Sequence, residues 1–121
     1  MEWNIRNDLP IYTQLTDQIK LGIASGLYAP GERLASVRDM AMEAGVNPNT
    51  MQRALQELER EGLVFTQRTA GRFVTEEPAR IDAARAALAR EQVERFLEAM
   101  GKLGYHRADI FALIAADNKE E

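Results

Sequence analysis

Four side chains between positions 49 and 56 have types and spacing suited to reading another polymer: Asn49, Gln52, Arg53 and Gln56. At 100° per residue they share one side of a helix, while Met51, Ala54, Leu55 and Leu58 form an apolar stripe on the other. Amides and guanidinium groups make paired hydrogen bonds with base edges, Asn or Gln with adenine and Arg with guanine. No Asp or Glu occurs from position 44 to 56, so a phosphate backbone can approach without like-charge repulsion. Thr50 lies at the flank of the polar face. Asn47 just before it is suited to cap the helix, and Pro48 fits N1, where a missing N–H costs nothing.

The elements that must hold this helix are legible around it. Pro10 opens a first helix in which Ile11, Leu15, Ile19 and Ile23 recur every four residues, with Tyr12 and Ala24 beside them. Residues 1–9, with Trp3 and Ile5 among polar neighbours, read as an arm. Gly26 stops the first helix. Ser36 caps a second, about two turns long, with Val37, Met40, Ala41 and Ala44 inward. Gly45 permits a sharp reversal into the third, which runs to Glu61 and ends at Gly62. The period then changes to two: 63–67 and 72–75 are β-prone runs, with a hairpin tip at Arg68 to Gly71. Three helices, a tight turn and a hairpin predict a winged helix-turn-helix at 1–76, in a mainly α chain.

Pro78 starts a different composition. An Ala-, Arg- and Glu-rich helix from Ala79 to Met100, a break at Gly101 to Gly104, and a last helix from His106 to Asp117 are expected. Met40, Met42, Met51 and Met100 read as core or interface fillers. The 45 residues of 77–121 are too few to enclose a pocket of about 300 Å³ within one subunit. Their apolar positions Ile81, Leu88, Phe96, Leu97, Ile110, Phe111, Leu113 and Ile114 still need cover, so this tail is expected to form a homodimer interface.

Composition bounds the rest. With 121 residues, 45% hydrophobic and 28% charged, the chain is long enough for one compact domain plus an appendage. It has no cysteine, no apolar run near the ~20 residues of a membrane span, and an amino terminus unlike a signal peptide. A cytoplasmic protein without membrane contact is expected. The net charge of −4 opposes nucleic-acid binding if taken alone, yet residues 62–75 hold Arg68 and Arg72 with no acid, and the acids Glu57, Glu59 and Glu61 gather behind the polar face. His106 is the single histidine, and neither a set of metal ligands nor an acid–base partner can be drawn around it. No phosphate-cradling loop, paired carboxylates or nucleophile motif occurs, so an enzyme, a cofactor and a metal are not expected.

In order along the chain stand Pro10-Ile11-Tyr12-Thr13-Gln14-Leu15, Tyr28-Ala29-Pro30-Gly31-Glu32-Arg33-Leu34, Ser36-Val37-Arg38-Asp39-Met40-Ala41, Asn47-Pro48-Asn49-Thr50, Leu58-Glu59-Arg60-Glu61-Gly62-Leu63 and Gly71-Arg72-Phe73-Val74. This series resembles the GntR family of bacterial transcriptional regulators. The Asn-Pro-Asn-Thr turn and the short tail resemble its YtrA-type subfamily. The resemblance implies double-stranded DNA as partner, with Arg38 contacting it from the second helix and Asn47, Asn49, Thr50, Gln52 and Arg53 at contacting positions of the third. It further implies a wing around Gly71 that reaches the minor groove, and a small two-helix tail that dimerises. Ala35 departs from the family's usual proline and Thr69 from a frequent glycine at the wing.

A sequence-specific regulator, acting as a repressor and binding an inverted repeat as a homodimer, is the resulting expectation. A winged helix that docks on a protein is the rival; it calls for large apolar residues on the third helix's outer face, where Asn, Gln and Arg stand. For Arg38 the alternative is a surface pair with Asp39 or Asp17. For Arg68 and Arg72 it is a solvated hairpin. An operator sequence and a small-molecule effector are not readable from the residues.

Overall fold

The computed structural model describes residues 1–117. Five helices and one hairpin follow in the order α1 (Ile11–Ser25), α2 (Val37–Ala44), α3 (Pro48–Arg60), β1 (Val64–Gln67), β2 (Gly71–Val74), α4 (Pro78–Lys102) and α5 (Arg107–Asp117). The chain divides into two compact units, Met1–Arg85 and the residues from Ala86 onward.

The first unit is built by the apolar periodicities. Leu15, Ile19 and Ile23 of α1 meet Met51, Ala54, Leu55 and Leu58 of α3, closed by Met40 and Ala41 of α2 and by Leu34, Leu63, Val64 and Val74. The hairpin is antiparallel, with Val64 opposite Val74 and Gln67 opposite Gly71. A third extended segment, absent from the sequence expectation, completes it. Gly31 N–H donates to Val74 O at 3.0 Å, Val74 N–H to Glu32 O at 2.9 Å and Leu34 N–H to Arg72 O at 2.9 Å. Two or three residues of ladder are too short to leave a period-two pattern.

The arm of residues 1–9 contains no helix or strand, but it is strapped to α1. The Gln18 amide accepts from Asn4 N–H at 3.0 Å and donates to Asn4 O at 2.7 Å. One helical turn earlier, Gln14 does the same to Arg6 at 2.8 and 2.7 Å. Two amides at i and i+4 thus stand in for a neighbouring strand, and Trp3 and Ile5 pack against the core.

Pro78 begins a helix without ending the unit. Ile81 is only 7% exposed within the first core, Ala84 packs against it, and Arg85 Nε donates to the free carbonyl of Ala24 at 3.0 Å. The compact unit therefore extends past the expected limit at 76 by the first two turns of α4. In the second unit α4 continues unbroken through Gly101, and the break falls at Leu103-Gly104, where Tyr105 N–H reaches back to Met100 O at 3.1 Å. At the start of α5 Asp109 accepts from His106 N–H at 2.9 Å, the back-reaching half of a capping box. No helix among the described residues is long and apolar enough to cross a membrane.

Candidate nucleic-acid interface

The turn that presents α3 is fixed by its caps. Ser36 Oγ accepts from Asp39 N–H at 3.0 Å and opens α2. Gly45 closes it at φ 71°, a left-handed conformation that glycine adopts at no steric cost. Asn47 Oδ1 then accepts from Asn49 N–H at 2.7 Å, with Pro48 next to it. Asn47 is exposed, so capping leaves its amide nitrogen at the surface.

From this start α3 turns its two faces as its sequence dictates. Met51, Ala54, Leu55 and Leu58 are buried, while Asn49, Arg53 and Gln56 are exposed and Thr50 and Gln52 half-buried. Arg38 on α2 is also exposed, and among the described residues it forms no ion pair with Asp39 or Asp17. Met42, expected as a filler, is instead 71% exposed, because it stands on the side of α2 opposite Met40 and Ala41.

The acids behind the face are occupied. Glu57 pairs with Arg60, Glu61 with Lys20 at 3.0 Å, and Glu59 with Arg72 at 3.6 Å. Hydrogen bonding from Arg60 is the main reason the Glu57 carboxyl lies below its ordinary range. Their negative charge is thereby largely answered within the protein.

At the wing the two arginines separate. Arg68 lies exposed in the turn, which closes through Ala70 N–H to Gln67 O at 3.0 Å despite Thr69. Arg72, expected to face DNA, is turned inward: its side chain is 17% exposed, its Nη2 faces Glu59, and its buried Nε has no partner. The β alternation puts position 72 on the face toward α3, and that pairing partner lies 13 residues away in sequence, beyond any local pattern. Gly71 has φ 112°, and a Cβ there would come within 3.0 Å of Arg33 Nε. Arg33, not singled out by sequence, is exposed beside the wing root. Its pairing with Phe73 places it there.

Of the tail positions expected at an interface, Ile81 belongs to the first core and Ile110 is buried at 4% exposure. Leu88 and Leu97 are half-buried, while Phe96, Phe111, Leu113 and Ile114 are exposed in the single chain. No group of three or more His, Cys, Asp or Glu among the described residues could hold a metal.

A family profile described as bacterial regulatory proteins, gntR family, matches residues 11–74. The uncharacterized HTH-type transcriptional regulator YhcF of Bacillus subtilis (strain 168) is 38% identical over 110 residues, 91% of each chain. The HTH-type transcriptional repressor YtrA of the same organism is 42% identical over 71 residues, 59% of this chain and 55% of that one. Among solved structures, a GntR family transcriptional regulator from Listeria monocytogenes is 36% identical with a TM-score of 0.84, covering 93% of this chain and 98% of that chain. The profile spans the stretch that builds and presents the outer face of α3, and the likeness to YhcF extends over nearly the whole chain, which makes this protein a DNA-binding transcriptional regulator of the GntR family, with YtrA among its relatives.

Proposed function

We propose that the chain represses transcription by binding an inverted-repeat operator as a homodimer. In this reading Asn49, Gln52 and Arg53 address base edges, Thr50 and Asn47 flank them, and Arg38 and Arg68 hold the sugar-phosphate backbone. Gly71 lets the wing approach closely. Arg72, drawn to Glu59, braces the wing against α3. The observation that carries the proposal is the outer face of α3, polar, exposed and free of acid, with the three glutamates behind it paired elsewhere. Dimerisation is supported by the exposed Phe96, Phe111, Leu113 and Ile114, and repression by the likeness to YtrA, a transcriptional repressor.

The test begins with a duplex selected by the full chain from a randomised library, and gel-shift titration on that duplex. Asn49→Ala and Arg53→Ala should each cost about 1–3 kcal/mol and relax preference at one or two base positions. Wild-type affinity and specificity in both variants would remove α3 as the reading element.

A further inference from the structure

Arg53 has an obvious competitor for its charge. On a helix, an arginine at i and a glutamate at i+4 lie side by side, and Glu57 holds that position relative to Arg53. Had the two paired, the guanidinium would meet any nucleic acid already neutralised. Two other contacts keep them apart. Glu57 is taken by Arg60, and the Arg53 guanidinium carbon lies over the ring of Tyr12, 4.1 Å from its centroid. Among the described residues Arg53 makes no ion pair and no side-chain hydrogen bond, so its N–H donors are uncommitted. Tyr12 is in the first turn of α1, half-buried, and packed against the core. The platform under Arg53 is therefore seated against the core and belongs to a different helix.

From this geometry we infer that Tyr12 is a positioning residue for DNA recognition: its ring holds the Arg53 guanidinium flat and away from Glu57, with its hydrogen-bonding edge open to the duplex. Stacking uses the face of the guanidinium and leaves its donors in the plane, where a guanine edge or a phosphate must meet them. A fixed rotamer also lowers the entropy lost when those bonds form. The inference rests on the DNA-binding reading above.

A double-mutant cycle on the full chain tests it, with the library-selected duplex as probe. Tyr12→Leu keeps apolar bulk and removes the π face; it should weaken binding about threefold to tenfold, while Tyr12→Phe should stay within about twofold of wild type. In an Arg53→Ala background Tyr12→Leu should cause no further loss. Pentafluorophenylalanine at position 12 keeps the shape of phenylalanine and reverses the ring's charge distribution, so it should bind as weakly as Tyr12→Leu, and it serves if that variant does not fold. Equal losses from Tyr12→Leu with and without Arg53, or wild-type affinity with the fluorinated ring, would overturn the inference. Failure of the wild-type chain to enrich any duplex would instead overturn the DNA-binding reading and be recognised by that sign.

Discussion

Three arginines near α3 resemble one another as letters and differ in what the fold has already done with their charge. Arg38 and Arg68 are exposed and unpaired among the described residues; Arg72 is covered and faces Glu59. Each free arginine that meets a phosphate releases counterions, and the log–log salt slope of binding records the number released. Arg38→Ala and Arg68→Ala should thus each lower the magnitude of that slope by roughly one, whatever the sequence of the duplex. Arg72→Ala should leave the slope near the wild-type value and lower the melting temperature, because it leaves Glu59 without its cation. A salt titration and a thermal melt on the same three proteins separate these outcomes. The capping roles of Ser36 and Asn47 were legible from sequence because a cap acts within three residues. The inward turn of Arg72 and the seating of Arg53 over Tyr12 were not, since each depends on a partner at least 13 residues away along the chain.

At the scale of the element, local signals located every helix and the hairpin, and failed where one element is claimed by another. α4 begins at Pro78, one residue before the expected Ala79, and Ile81 and Arg85 tie its first turns into the winged helix. A chain ending at Arg85 should accordingly resist urea better than one ending at Glu76. Ile81→Ala in the full chain should cost about 2–5 kcal/mol, the usual penalty for emptying a buried isoleucine site. Equal urea midpoints for the two truncated chains would remove α4 from the first unit. The end of α3 carries a pH signature of its own. Arg60 holds the Glu57 carboxyl below its ordinary range, so the pair's contribution is complete above about pH 4.3 and disappears as pH falls through the lowered value. Melting curves of Arg60→Ala should fall less steeply on the acid side than those of the wild type.

For the whole molecule the outstanding quantity is the number of chains per operator. Phe111 is 64% exposed, so Phe111→Asp leaves a single chain's packing nearly untouched, while at a two-fold interface it buries an unpaired charge. Light scattering should find the variant monomeric where the wild type is dimeric, and a gel-shift should find it confined to weak half-site binding. Half-sites centred about 10 base pairs or a multiple apart are expected for the wild type. A monomeric wild type at micromolar concentration would detach the tail from DNA binding. The strapped arm, finally, gives these experiments an optical handle. The chain's single tryptophan is Trp3, packed against the first core and tied down next door through Asn4 and Gln18. Its emission reports on the arm and the winged helix alone, whereas far-ultraviolet circular dichroism also weighs the later turns of α4 and all of α5. Divergence of the two signals during unfolding would show the units melting separately, with no label attached to either.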